Sequence, residues 1–590
     1  MPSASAQHSA KRPARRPDEA TVPATVPAAR TVAQWWPFVL VGAATALFVV
    51  LKLYAINVVI GDEHLYFNMA VLVNKGLIPH RDFFYTHPPL HLYLAVWAFK
   101  LFGYSLALGK ALTSGALLVG GLLIFAVGRR ALGAAEGAVA CAIFLLSFDP
   151  LRISSHFTGG NETFAFAMIG LWLAHLDRPL LAGIAFGLGA LVAIYIVPGA
   201  AAVALMLAWR SRRAAIRFLV AAAAVALCGN LLLYAYAGWD FIYQVYLTQF
   251  QKGKEGSLVE YTLYNRLGYI MYENRMLTAG AVAGVVLLAL DVRSRLAQAP
   301  RRRLWQDRRG EALLLFVAWF TLYWLFYFSI KLQHAYYFLF IMPVFAWFSA
   351  FAYVEMGRGL VRIVRPAVAA PSTEPRATRR RPTTPQHAGR FAPLIPAAVG
   401  LVLTLANIGV LDALYVPFAL RRYGTGVTRY TWRPLRHLPG VDAWVRGAFW
   451  QPQDTVLQPP RFGIGKYLQH ESDQIVVADQ IYAAVKQHST PDETIFGEVG
   501  LVALVSSETG RRVAANLVDT SSYRISYGLS RVEDWIAAID ADRVRLLVVR
   551  QNTAPLRYPQ FRDYAQRNFR TVARIRDPQQ GVFEIMRRVD

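Results

Sequence analysis

Asp62 and Glu63 are adjacent carboxylates in the stretch Gly61-Asp62-Glu63-His64-Leu65-Tyr66, and His80, Asp82, His87 and His91 follow closely along the chain. Tyr66, Phe67, Phe83, Phe84, Tyr85 and Tyr93 are interleaved with them. A carboxylate half-buried among aromatic rings has a raised proton affinity and can take a proton from an alcohol, which is general-base chemistry. Asp62 is the candidate base and Glu63 its acidic neighbour. The same pair also reads as a solvated cap on a helix that begins near His64, and the rings as an interfacial belt. A second polar stretch, Thr158-Gly159-Gly160-Asn161-Glu162-Thr163, opens an apolar segment. Asn161 and Glu162 either cap and charge that helix start, or orient an acceptor or hold a divalent cation beside its free N–H groups. A third stretch, Lys331-Leu332-Gln333-His334-Ala335-Tyr336-Tyr337, lies between two apolar segments. Lys331 either snorkels to headgroups or, with His334, meets a leaving phosphate, where positive charge is needed.

The elements that must position these groups are mostly membrane helices. The chain has 590 residues, of which 55% are hydrophobic and 17% charged, with a mean hydropathy of +0.32. That composition belongs to a polytopic α-helical membrane protein. The net charge of +25 does not point to nucleic acid, because the arginines cluster between apolar segments, as the positive-inside rule requires. Cys141 and Cys228, the two cysteines, fall inside apolar segments and read as small core residues without disulfide or metal-ligand spacing.

A spanning helix takes roughly 20 mostly apolar residues. That length places segments near 35–56, 105–128, 132–148, 161–176, 180–194, 195–209, 214–237, 277–291, 312–330, 335–356 and 393–416. The run 180–209 is too long for one helix and is split near Tyr195. The segment 88–103, interrupted by Lys100 and Gly103, lies in or dips into the interface. About eleven crossings result, with the N-terminus in the cytoplasm. Arg129/Arg130, the cluster Arg210/Arg212/Arg213, and Arg301 to Arg303 with Arg308/Arg309 all then face the cytoplasm. The three polar stretches gather on the opposite, outer face. Residues 1–33 read as a disordered cytoplasmic tail, and 357–391, rich in Pro and Arg, as a disordered cytoplasmic loop within the membrane domain 34–416. Residues 417–590 change to the composition of a small extracytoplasmic α/β domain, with strands near 492–496, 512–515 and 545–549, a closing hairpin at 569–586, and helices near 475–487 and 532–539. The triplet Asp540-Ala541-Asp542 reads there as a solvated helix-to-strand turn.

The stretch Gly61-Asp62-Glu63-His64-Leu65-Tyr66 in the first outer loop, followed by His87-Pro88-Pro89-Leu90, resembles the membrane glycosyltransferases of the GT-C class. It is most similar to the protein O-mannosyltransferase and lipid A aminoarabinose transferase group. The resemblance covers roughly 35–416 and is concentrated in 61–103. It implies that Asp62 activates an acceptor hydroxyl, with Glu63 in support. His87, just before Pro-Pro-Leu, stands where the mannosyltransferases also carry His and the aminoarabinose transferases carry a phosphate-contacting Lys. The implied donor is a polyprenyl-phosphate-linked sugar and the acceptor a lipid, glycan or protein. The implied place is the plasma (inner) membrane, with Lys331, His334 and His87 on the donor phosphate. The competing class is a polytopic lipid or solute transporter or flippase with an outer α/β domain, which would gather its acids near the midplane.

Overall fold

The structure, a computed structural model, describes residues 28–54, 62–248, 274–298, 303–330, 335–368, 475–526, 528–577 and 581–589. The membrane part begins with helices α1 (Ala28–Tyr54), α2 (Asp62–Asn74), α3 (Leu90–Phe102), α4 (Leu106–Ala131) and α5 (Ala134–Leu146). A short α6 (Phe148–Ile153) leads to α7 (Gly160–His175), α8 (Pro179–Ala190), α9 (Val197–Arg210) and α10 (Arg212–Ile242). Then follow α11 (Arg275–Gln298), α12 (Arg308–Ser329) and α13 (Met342–Val368). The helix starts follow local chemistry. The Ser105 hydroxyl accepts from Leu108 N–H at the head of α4, and the Asp307 carboxylate accepts from the N–H groups of Arg309 and Gly310 at the head of α12, each satisfying orphan donors.

α5 is the packing centre. Every residue from Glu136 to Leu146 is buried, the signature of a helix wrapped on all sides. Its approach to α4 depends on two glycines: a Cβ on Gly137 would lie 2.5 Å from the Arg129 backbone nitrogen, and one on Gly128 would meet the Gly137 Cα at 2.9 Å. Larger residues would force these helices apart. Buried indoles tie the bundle by donating to carbonyls, Trp347 Nε1 to Ile124 O at 3.0 Å and Trp319 Nε1 to Phe340 O at 2.7 Å. α10 presents Val220, Leu227, Leu231 and Leu232 on an exposed apolar face, which suits lipid contact.

Five described helices are long and apolar enough to cross a membrane: Trp35–Lys52, Leu106–Ala131, Arg212–Leu247, Leu277–Gln298 and Arg308–Ser329. The count of about eleven crossings is therefore not reproduced at full length. Leu90–Phe102, Ala134–Leu146, Pro179–Ala190 and Ile194–Arg210 are shorter apolar helices; at 1.5 Å per residue each falls short of a hydrocarbon core of about 30 Å. The expected break near Tyr195 is present: α8 ends at Ala190, a single 3₁₀ turn covers Ile194–Ile196, and α9 starts at Val197. The expected span 393–416 lies outside the described residues. Two expected boundaries move. α1 starts at Ala28, inside the stretch 1–33, and α13 runs on to Val368, inside the stretch 357–391. Extending a formed helix costs little until a breaker intervenes, and Pro366 lies only near the α13 end.

The tail forms a mixed sheet. Its elements are α14 (Ile475–His488), β1 (Thr494–Gly497), α15 (Leu501–Thr509), β2 (Arg512–Val513), α16 (Ser522–Ser526), α17 (Val532–Ala541), β3 (Leu546–Arg550), α18 (Pro559–Asn568), β4 (Phe569–Asp577) and β5 (Gly581–Arg588). Strand order is β2-β1-β3-β5-β4, with β1 parallel to β2 and β3, and β5 antiparallel to β3 and β4. β3 is buried from Leu546 to Val549, as a central strand covered on both faces must be. The expected strands and closing hairpin are all present; α15, α16 and α18 were not foreseen. Asp540 and Asp542 do form a turn. Asp540 accepts from the Tyr564 hydroxyl at 2.5 Å and from Arg588 at 2.6 Å, and Asp542 accepts from Ala515 N–H at 2.7 Å.

The sheet domain seats on α2. Asn68 Nδ2 donates to Ser507 Oγ at 3.0 Å, Ser506 Oγ at 3.1 Å and Ala503 O at 3.4 Å. Leu65, Met69 and Leu72 share one apolar cluster with Leu501, Val502 and Val505. The Arg524 guanidinium lies 4.5 Å from the centre of the Phe84 ring, within cation–π range.

Candidate active site

α2 starts at Asp62, so Asp62 and Glu63 fall in its first turn, where a helix dipole favours negative charge. Successive residues on a helix point about 100° apart, and the two carboxylates separate accordingly. Asp62 is exposed. Glu63 is 1% exposed and forms an ion pair with Lys110 of α4, itself 1% exposed. His64 Nε2 lies 3.5 Å from Glu63 Oε1, and His156 Nδ1 lies 3.7 Å from Glu63 Oε2. Glu63 thus anchors α2 to α4, and Asp62 is turned toward the open side.

The Asp62 carboxylate is close enough to the phenols of Tyr336 and Tyr337 for its charge to bear on both. Those tyrosines sit on a 3₁₀ turn, Ala335–Phe340, between α12 and α13. Tyr66, one helical turn beyond Asp62, brings its hydroxyl to 3.1 Å from Nε2 of the half-buried His87. Its ring meets Tyr85 edge-on at 5.8 Å and His91 at 5.5 Å. The Tyr85 hydroxyl in turn lies 2.9 Å from His91 Nε2. The fully buried His91 packs on Phe157 at 5.3 Å and lies against Gly159, where a Cβ would come within 3.4 Å of the imidazole. Gly159 holds φ 79, a left-handed conformation that favours glycine, and α7 starts behind it. Glu162 in the first turn of α7 is 3% exposed, and its charge bears on Tyr85. The loop before α3 is clamped by Gln244, which donates to His80 O at 2.8 Å and accepts from Tyr85 N–H at 2.9 Å.

Asp62, His87 and Glu162 are therefore brought to one polar–aromatic cluster through Tyr336, Tyr66 and Tyr85, whereas Glu63 turns away from it to Lys110. Asn161 plays a different part from the expected helix cap or acceptor contact. The N-cap position belongs to Gly159. The Asn161 amide, fully buried, donates to Thr113 Oγ1 at 2.8 Å, Ile153 O at 2.9 Å, and Ser154 O and His156 O at 3.2 Å. These bonds fasten the loop between α6 and α7. Among the described residues no group of three or more His, Cys, Asp or Glu side chains could hold a metal ion. Lys331 and His334 lie outside the described residues. Lys110 and His156 are the members that sequence reasoning missed; Tyr85 and the Tyr336–Tyr337 pair were named there without a place beside Asp62. A lysine inside the apolar run of α4 was the available signal, because such a group requires a buried partner.

His80, 2% exposed and at φ 70, stands behind this cluster. Burial, only partly offset by the Tyr85 backbone and Gln244, pulls its imidazole down to about 4. In the unfolded chain it takes a proton near 6.5. The unfolded state therefore binds more protons between those values, and stability is full above 6.5 and declines as pH falls toward 4. His80→Phe should remove this component. Its thermal midpoint is expected to fall less than that of the native chain between about pH 7 and about pH 5, and equal falls would show that His80 does not carry it.

No family model matches the chain. It is 29% identical over 199 residues to the catalytic subunit of GPI alpha-1,4-mannosyltransferase I from Danio rerio, a match that takes in 32% of this chain and 50% of that protein. The chain thus spans half the length of the curated relative it matches. In three dimensions it is similar to ArnT from Cupriavidus metallidurans in the apo state, with a TM-score of 0.57 and 13% identity, over 94% of this chain and 98% of that one. It is likewise similar to ArnT from the same organism bound to undecaprenyl phosphate, with a TM-score of 0.54 and 14% identity over the same shares. The fold is therefore GT-C-like, a polytopic helical membrane architecture with a small sheet domain.

Proposed function

We propose that this chain is an inverting glycosyltransferase that moves a sugar from a polyprenyl-phosphate donor to an acceptor hydroxyl at the outer face of the plasma membrane. The observation that carries the reading is the divergence of the paired carboxylates. Glu63 is locked to Lys110 inside the bundle, while Asp62 stays exposed beside Tyr336, Tyr337 and the Tyr66–His87 pair. Asp62 takes the proton of the acceptor hydroxyl as that oxygen bonds to the anomeric carbon. The bond from that carbon to the phosphate oxygen breaks, and the lipid phosphate leaves with the electron pair. One base and one good leaving group suit a single displacement, hence inversion. His87 stands on the donor side of the cluster. Lys331 and His334, which immediately precede the Tyr336–Tyr337 turn in sequence, supply the charge that a departing phosphate requires. Glu162, behind Tyr85, sets the electrostatics of the acceptor side.

The fold shared with ArnT bound to undecaprenyl phosphate and the mannosyltransferase relative support a lipid-linked donor. The basic ends of α4, α9 and α12 support an orientation with the N-terminus in the cytoplasm. The test is mass spectrometry of products formed by the purified full chain from defined polyprenyl-phosphate hexoses and pentoses. Transfer with an inverted anomeric product is expected. No transfer from any of them, with lipid or solute movement in proteoliposomes instead, would overturn the reading.

A further inference from the structure

α7 and α12 have their Asp62-proximal ends at Glu162 and Tyr327. Their other ends, with the last turns of α4 and α9, enclose a cavity of about 460 Å³. Arg130, His175, Arg210, Trp305, Arg308 and Glu311 line it. α7 alone has 16 residues, so at 1.5 Å per residue the cavity is separated from the Asp62 cluster by roughly 24 Å. It cannot be the place where acceptor and donor meet.

Its charges are unevenly used. Arg210 is fully engaged: its Nε and Nη2 clamp Glu311, the latter at 2.9 Å, and its Nη1 donates to Asp177 Oδ1 and Ala174 O, both at 3.2 Å. One guanidinium thereby serves both of the carboxylates at the cavity. Arg130 and Arg308 form no ion pair or hydrogen bond among the described residues, and both are exposed at its rim. His175 is the second observation. It is 4% exposed, lines the cavity, and its Nδ1 is buried without a hydrogen-bond partner. Buried polar atoms are nearly always satisfied, by protein, ordered water or ligand, so this one leaves a hydrogen-bonding position open at the cavity wall. Two unengaged guanidiniums with planar forked donors around an unsatisfied imidazole favour a tetrahedral oxyanion, with bidentate N–H···O bonds from each fork. The volume lies within the range of small-ligand sites, and the Trp305 indole and Leu315 offer apolar surface for whatever carries the anion.

We propose that this cavity is a binding site for a phosphate ester, held by Arg130 and Arg308 with His175 at its floor. Two sources share that chemistry, the headgroup of an anionic membrane lipid and a soluble phosphate. In either case the bound anion joins the ends of α4, α7, α9 and α12 and stabilises the folded chain by linkage.

The experiment uses the purified full chain. Thermal unfolding is followed with inorganic phosphate against chloride at matched ionic strength, and lipid retention is read by native mass spectrometry from nanodiscs of phosphatidylglycerol or phosphatidylcholine. Phosphate raising the midpoint identifies a soluble ligand; selective retention of phosphatidylglycerol identifies a headgroup. Arg130→Gln with Arg308→Gln should weaken the effective ligand about tenfold for each guanidinium lost. Arg130→Lys with Arg308→Lys, which keeps charge and guards against a folding defect, should weaken it less. Arg212→Gln with Arg213→Gln, exposed residues that do not line the cavity, controls for charge and should leave binding unchanged. No response of the native chain to either probe, or an equal loss in the control and cavity variants, would overturn the assignment.

Discussion

Asp62→Asn should lower sugar transfer by about 10²- to 10⁴-fold, the range that a positioned general base contributes. The substitution keeps side-chain size and leaves a residue well suited to a helix start, so α2 should still form. Asp62 is exposed and makes no part of the buried anchor; that role belongs to Glu63 and Lys110. Expression, membrane insertion and thermal midpoint should therefore stay near those of the native chain while turnover collapses. The check is the initial rate of product formation from a polyprenyl-phosphate sugar, measured beside the unfolding curve of the same preparation. Undiminished turnover in a well-folded Asp62→Asn protein would remove Asp62 from the chemistry and with it the proposed mechanism.

The second large effect is on stability. Lys110→Met should destabilise the chain by about 3–5 kcal/mol, because it strands a buried carboxylate. Glu63 is 1% exposed, and its remaining neighbours of this kind are the His64 and His156 imidazoles, at 3.5 and 3.7 Å. Neutralising both partners should restore most of the loss, since a buried ion pair replaced by groups of similar shape is often close to neutral. The double variant Lys110→Met with Glu63→Gln is thus expected to be more stable than Lys110→Met alone, a sign that independent sites would not give. Thermal unfolding of the native chain, Lys110→Met, Glu63→Gln and the double variant in one detergent measures this directly. If Lys110→Met unfolds like the native chain, the pair does not hold α2 in place.

What the amino-acid sequence announces by itself differs from residue to residue. The long apolar runs and their basic ends announced α4, α10, α11 and α12, because bilayer thickness sets a length that the sequence must meet. The interruption at Tyr195 was legible for the same reason, a run too long for one helix. The thirteen-residue α5 was not legible as a short, wholly protein-packed helix, because hydropathy cannot distinguish lipid from protein as the surrounding medium. Asp62, Glu63 and Glu162 were visible as acids at segment edges. Their separation into one exposed base and one buried anchor was not, since it depends on Lys110 arriving from the next long helix. Asn161 reads by its residue type as a cap or as an acceptor or cation contact, whereas Gly159 takes the left-handed turn and frees the amide to bind the α6–α7 loop. The contact between α2 and α15 left no local mark, as Glu63 to Ala70 and Leu501 to Val505 are buried on every side and neither helix shows one distinct apolar face.

That last contact has a consequence in time. Asn68 and Ala503 are 435 positions apart. At 5–20 residues per second, the ribosome needs roughly 20 to 90 seconds to supply α15 after α2 has emerged. Through that interval Leu65, Met69 and Leu72 have the cover of Leu92, Val96 and Phe99 but not that of Leu501, Val502 and Val505, and the segment carrying Asp62 lacks its outer brace. Maturation of the reactive end therefore waits on the last quarter of translation, and a chain cut short before position 501 would retain its acid yet lose the scaffold that aims it.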